Sequence, residues 1–549
     1  MESSVKKLIP KRSKPYISYL KHITDSGDIA KLIIGFIFVV LVIIPLARML
    51  MHIDASSFNR VLKNVMFPTA VLNSVKVSVI ATAITLLIAY LLAFCIERTG
   101  IRFKGILNII LILPMLIPSI SHGMGLIILL GNNGVITRFL GLRTSIYGLH
   151  GIVFGSVMYA FPVAFLMISD VLRYEDCTPY EAAKVLGISG WRQFQSITLP
   201  YLRKPMISVI FAIFTMIITD YGVPLMVGGS YITIPVIMYQ EVIGQLEFGK
   251  GCIYGVILLI PAVVAFIFDF LNKDKGNMSY VSHKLEYNKK KLVNFLSYSI
   301  CALVSLCTIL PIIAFVILGF TKNYPGDLSF TFSNIIKSLD MEADQYLLNS
   351  ITIALLVSLI GVSLSFFTAY LTARMKSKMS KFLHLIAITS AAVPGIVLGL
   401  SYVIVFNQSF IYGTIAILVM VNLIHFFASP YLMMYNSLNK INENLESVGQ
   451  MLGISRLRMI KDIFIPQSMT TIFEMSSYFF VNCMMTISAV SFLATMSNKP
   501  VALMINQFEA QMQLECAAIV SLAILTVNLL IKALVYFAKK AFLYNRSNI

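Results

Sequence analysis

Residues 181–200 read EAAKVLGISGWRQFQSITLP, and residues 446–466 read ESVGQMLGISRLRMIKDIFIP. Both contain Leu-Gly-Ile-Ser, and both place a proline at the same distance from the glycine, Gly187 to Pro200 and Gly453 to Pro466. Glu181 to Leu186 suits a short helix, which Gly187 ends by taking a left-handed conformation. Ser189 then caps a second helix that runs to Leu199. Ala182 and Ala183 lack bulk, so another protein can come close, and Glu181 offers one charge to a partner cation. A polar element used twice inside an apolar chain reads as a pair of docking points.

The rest of the chain is apolar. Of 549 residues, 58% are hydrophobic and 12% charged, about half the charge of a soluble protein. A bilayer crossing takes about 20 apolar residues. Twelve stretches qualify: 32–50, 71–95, 106–130, 149–170, 205–227, 251–271, 293–320, 348–373, 382–405, 413–436, 471–496 and 515–538. The expected fold is an all-α polytopic membrane protein of two related six-helix halves. Leu72-Asn73-Ser74 and Leu348-Asn349-Ser350 open matching spans 276 residues apart, as do Pro118 and Pro394 in later ones. The glycine pair is 266 apart, so the first half holds about ten extra residues, placed by the reading in the Gly- and Asn-rich 131–148 loop. A repeat of this length matches the parallel repeats of transporters.

The net charge of +18 raises nucleic acid as a partner, and its distribution answers the question. With the N-terminus inside and twelve alternating spans, 32 of the 43 lysines and arginines fall inside, 8 outside and 3 within spans. That is the positive-inside bias. The charge orients the chain and meets anionic head groups; no basic, aromatic-rich soluble domain is left to bind nucleic acid. The expected organisation is a basic cytoplasmic N-terminus (1–31), a first half (32–271) with its loop at 175–200, and a basic linker (272–292). A second half (293–538) with its loop at 440–466 and a cytoplasmic tail (539–549) follow. The acidic outside loop 321–347 reads as solvated. The first apolar run is expected to be a retained span, since it is long and no Ala-x-Ala site follows.

Seven dispersed cysteines form no Cys-x-x-Cys pair, which argues against a disulfide framework or metal cluster. The stretch 244–251 approaches a phosphate-binding loop, but Gly251 stands where Ser or Thr is required and no strand precedes it. The chain is therefore expected to hold no ATPase site, no catalytic residue and no cofactor. His384 and His425 read as satisfied core residues.

Glu-Ala-Ala followed by Gly and Ile-x-Leu-Pro resembles the "EAA" loop of binding-protein-dependent ABC importer permeases. The resemblance implies a type I importer fold in a bacterial inner membrane, with both termini cytoplasmic. It also implies two cytoplasmic ABC ATPase subunits that bind the ATP, and an extracytoplasmic solute-binding protein. Glu181, Ala182, Ala183 and Gly187 would dock one ATPase, and Gly453 with its neighbours the other. The second loop departs from the pattern: Ser447 stands in the place of Glu181, Gly449 in that of Ala183, and Glu446 comes one residue early. The fused layout is similar to ferric-iron, phosphonate and thiamine permeases, with ferric iron first among the solutes. Polar residues inside spans are candidate path residues. These are Asp220 and Tyr221 in the first half, and Asn482, Thr486, Ser488 and Ser491 in the second. The competing class is a secondary transporter driven by an ion gradient, which would need midplane carboxylates, and these are scarce.

Overall fold

The computed structural model describes residues 26–141, 145–272 and 291–547. Most of the expected basic N-terminus, the body of the linker and the last two residues lie outside the described residues. Among the described residues, nine helices are long and apolar enough to cross a membrane: Gly27–Met51, Met66–Arg98, Ser119–Leu140, Leu149–Arg173, Gly190–Ile218, Phe248–Phe268, Lys291–Gly319, Ala343–Ala373 and Leu514–Asn545. Two bent pairs, Lys378–Ala392 with Gly395–Phe406 and Ile415–Phe426 with Ala428–Asn439, bring the number to eleven if each counts once. Large apolar side chains such as Leu303, Leu359 and Leu534 stand exposed along them, as lipid-facing helices require.

Twelve apolar stretches interrupted by Gly and Pro were expected, and the places where the helices break have local causes. The stretch 106–130 is Lys104–Ile112, a tight turn Leu113–Leu116, and a new helix from Ser119. Pro118 lacks an N–H and pushes Ile117 to an extended backbone (φ −121°, ψ 149°). Pro394 does the same to Val393, and the two helices there meet at 105°. The eleventh stretch stops being helical at Thr486, whose φ of −69° and ψ of 134° are extended. The fifth breaks at Thr219–Tyr221 before a short helix, Gly222–Val227.

The repeat is visible as geometry. Gly187 and Gly453 have φ of +67° and +68°, a conformation that only glycine adopts without strain. The wide turns Phe194–Thr198 and Ile460–Phe464 follow them at the same spacing.

Each half gives its first helix to the other. Phe38 meets Phe427 with ring centroids 4.6 Å apart, and the Tyr402 hydroxyl donates to Leu41 O at 2.8 Å. Lys31, buried, donates to Met375 O (3.0 Å) and Ser377 Oγ (3.1 Å) and pairs with Asp28. In return, Asn294 on Lys291–Gly319 accepts from Gly100 N at 3.1 Å, and Pro311 lies against Gly125. The halves are joined by these exchanged helices as well as by the chain. Seven cysteines are free thiols.

Candidate functional site: two surface loops and a central break

In the first loop, Thr178–Val185 is helical, Gly187 ends it, and Ile188 N closes on Ala183 O at 2.9 Å. In the second, Leu445–Met451 is helical and Ile454 N closes on Gly449 O at 2.8 Å. This six-residue closure satisfies carbonyls that a helix end leaves open. Ser189 and Ser455 begin the next helices, and Ser455 Oγ accepts from Arg458 N. Glu181, Ala182 and Gly187 are exposed, as are Ser447 and Gly453; Ala183 and Gly449 face inward. Gly449 is small for a packing reason: a Cβ there would lie 2.3 Å from Met459 Sδ.

An arginine 276 residues apart in the two halves holds each loop to the end of a long helix. Arg98 pairs with the buried Glu175, which also accepts from the Tyr180 hydroxyl; Tyr180 in turn meets Thr198 at 2.6 Å. Burial pushes the Glu175 carboxyl above the usual carboxylate range, against the pull of Tyr180 and Arg98. In the second half Arg374 grips Glu446 with two bonds of 2.5 Å, donates to Ile441 O at 2.7 Å and lies over the Phe464 ring. The early position of Glu446 thereby has a structural reason. It holds the loop to its own half, whereas Glu181 on the first loop is exposed, its carboxylate within 3.5 Å of Cys177 Sγ.

The sequence reading missed the surface that the loops share. Val185, Leu186 and Trp191 are 88%, 74% and 67% exposed; Met451, Leu452 and Leu457, each 266 residues later, are 82%, 69% and 76% exposed. The signal was present in the alignment of the two loops, as large apolar residues at three matched places in polar surroundings.

The second locus lies where the halves meet. Asp220, buried, accepts from Val223 N at 3.0 Å and Gly222 N at 3.4 Å, so its carboxylate caps the helix Gly222–Val227. A Cβ on Gly222 would lie 2.5 Å from Ser119 Oγ and 2.7 Å from Ile487 Cδ1. A Cβ on Gly395 would lie 2.6 Å from Ser488 Oγ. Ser119 matches Gly395 and Gly222 matches Ser488 in the repeat, so each half puts one serine against one glycine. The break after Asp220 thus abuts the break after Thr486. Tyr221 stacks on Tyr239 at 5.0 Å, and Tyr239 stacks on Phe492 at 6.3 Å. Ser488 and Ser491 are half-buried beside this stack, with Ser491 Oγ donating to Ser488 O. Asn482 lies one turn before the break and donates to Tyr478 O in its own helix. A water-sized pocket of about 10 Å³, lined by Asp220, Ser74, Ser78 and Thr233, opens beside the cap.

His384 Nδ1 meets the Tyr431 hydroxyl at 2.5 Å, whereas His425 Nδ1 has no hydrogen-bond partner. Lys250 in the phosphate-loop-like stretch pairs with Glu241 at 3.1 Å. Among the described residues, no group of three His, Cys, Asp or Glu side chains is placed to hold a metal ion.

The chain matches the family model described as binding-protein-dependent transport system inner membrane component, over residues 85–273 and again over 361–543. A ferric transport system permease protein of Actinobacillus pleuropneumoniae is 26% identical over 440 residues, covering 76% of this chain and 64% of that protein. A putative ferric transport system permease protein of Haemophilus influenzae is 26% identical over 425 residues, covering 74% and 67%. A molybdenum transport system permease protein of Azotobacter vinelandii is 28% identical over 160 residues, 29% of this chain and 71% of that protein. The chain thus spans about two thirds of the length of the two ferric relatives.

Proposed function

Because this chain belongs to the binding-protein-dependent transport system inner membrane components, we propose that it is the fused permease of an ATP-driven importer that carries ferric iron from an external binding protein to the cytoplasm. The observation that carries this reading is the duplicated apolar surface on the two polar loops. A large side chain held mostly in water is stabilised by covering it, by about 1.5–3 kcal/mol when burial is complete. Two matched surfaces, one per half, fit two copies of one motor subunit. The charge bias puts both loops, and both termini, on the cytoplasmic side, where ATP is available. The ATPase partners bind the nucleotide; this chain contributes no cofactor.

Ferric iron enters the proposal through the two relatives named for ferric transport. Asp220, Tyr221, Asn482, Thr486, Ser488 and Ser491 would line or support the path where the two breaks meet. When the ATPases close, the loops move together, and the arginine clamps carry that motion to the long helices. The halves then rock about the central break.

The test is ATP-dependent uptake of radioactive ferric iron into proteoliposomes holding this chain, its ATPase subunits and its binding protein. Uptake without ATPase subunits, driven by an imposed ion gradient, would overturn the proposal. In the same system Glu181→Arg is expected to weaken ATPase recruitment and reduce uptake while leaving membrane insertion intact. ATPase co-purification equal to the parent would remove Glu181 from the docking role.

A further inference from the structure

The outer segment that joins Lys291–Gly319 to Ala343–Ala373 is built inside out. It holds a small antiparallel hairpin, Thr321–Asn323 with Asp327–Phe330, and a helix, Ser333–Asp340. The helix turns Asn334 and Ser338 toward the protein and leaves Lys337 and Asp340 exposed. Asn334 is buried and donates to Gly319 O (3.1 Å) and Thr321 O (2.6 Å), and buried Ser338 donates to Asn334 O at 2.7 Å. Two of its three apolar residues, Ile336 and Leu339, are exposed, as are Leu328, Phe330 and Phe332 from the hairpin and the turn that follows it. The rings of Phe320, Phe330 and Phe332 pack on one another at 5.0–5.7 Å. A helix surrounded by water does the reverse, hiding its apolar stripe and showing its polar one.

The exposed surface is continuous with a lipid-facing one. Val316 and Ile317, one turn back along Lys291–Gly319, are exposed too, and Phe320 follows them directly into the aromatic cluster. Asp340, Glu342 and Asp344 are exposed at the far end of the helix, and Asp327 on the hairpin pairs with Lys322 at 3.5 Å. The first half has a similar element at the matching place. Ala55–Lys63 buries Ser57 and exposes Phe58 and Leu62 ahead of exposed Val65 and Met66.

We propose that the 320–340 segment lies in the outer-leaflet interface of the bilayer, with Leu328, Phe330, Phe332, Ile336 and Leu339 inserted among the upper acyl chains. The occupant is lipid because the patch extends the lipid-facing side of a crossing helix without a gap, and aromatic side chains prefer that depth. The segment anchors the outer end of the seventh helix, the one donated to the first half. The inference rests on membrane embedding and the sidedness of the halves, not on which solute is carried.

The chain has a single tryptophan, Trp191, so a reporter can be moved. In a Trp191→Phe background, Phe330→Trp and separately Leu339→Trp are placed in nanodiscs of phosphatidylcholine and phosphatidylglycerol. The discs are prepared with and without bromine on the acyl chains. Both reporters are expected to lose most of their emission in brominated discs and to resist aqueous iodide. Asp344→Trp, on the acidic end, is expected to do the opposite. Iodide quenching of Phe330→Trp and Leu339→Trp with full emission in brominated discs would overturn the inference. So would shielding from both quenchers, which would mean a protein cover. Because the two reporters sit on different elements, misfolding of one still leaves the other to decide.

Discussion

A chain carrying Leu186→Asp and Leu452→Asp together is expected to lose both ATPase subunits, whereas either change alone leaves one firmly held. Leu186 and Leu452 are 74% and 69% exposed at matched places on the two loops, so neither change disturbs a core. In a docked complex each would put a carboxylate where an apolar side chain is covered. Losing that burial costs about 1.5–3 kcal/mol, and desolvating an unpaired charge adds to it. At about 1.4 kcal/mol per tenfold, each loop should weaken by at least one to two orders of magnitude. Transport should fall below detection in the double variant and sharply in each single one, because closure needs both motors. Pull-down of tagged ATPase from detergent extracts, with subunit stoichiometry read by native mass spectrometry, checks the outcome.

The second large effect is expected from Arg374→Ala. The Arg374 side chain is 3% exposed, with Glu446 and the carbonyls of Leu438, Ile441 and Asn442 on its donors. Removing Arg374 leaves Glu446, 21% exposed, to be hydrated only in part and costs about 1.5–3 kcal/mol, and the loss falls on the link between the second loop and the helix Ala343–Ala373. The ATPase should still bind, since the exposed apolar surface is untouched, but its motion would no longer reach the membrane helices. The expected signature is ATP hydrolysis largely retained with solute uptake lost, that is, a large rise in ATP consumed per solute moved. Arg374→Lys should recover little, because a point charge cannot reproduce the two-pronged grip. Arg98→Ala should act in the same direction through Glu175 and Tyr180. A parallel fall in hydrolysis and uptake would assign the arginines to docking instead.

The two-half layout and the two repeated loops were legible because they rest on composition and spacing. Twenty-residue apolar runs, the Gly187 and Gly453 stops and the offset of the repeat are all local signals. The places where the reading failed depend on what lies across space. Pro118 and Pro394 were used to align the repeat, yet their effect on the backbone, a turn instead of a continuous span, needs neighbouring helices to satisfy the freed groups. Glu446 looked like a displaced docking acid until Arg374, 72 residues away, was found to hold it. The exchange of first helices leaves no sequence signal, since Phe38 meets Phe427 and Lys31 meets Met375 only in three dimensions. The candidate path residues were chosen by polarity alone; that Gly222 lies against Ile487, joining Asp220 to the second break, could not be read from either half separately.

The most direct test of the claim that both loops dock a motor subunit uses the single tryptophan, which lies on the first loop and is 67% exposed. Titrating the purified ATPase into the permease in nanodiscs should shift the Trp191 emission to the blue and shield it from iodide, as burial of the indole requires. A Trp191→Phe, Leu457→Trp chain should give the same response from the second loop. Emission and iodide access unchanged at both positions, with ATPase bound to the complex, would contradict the account.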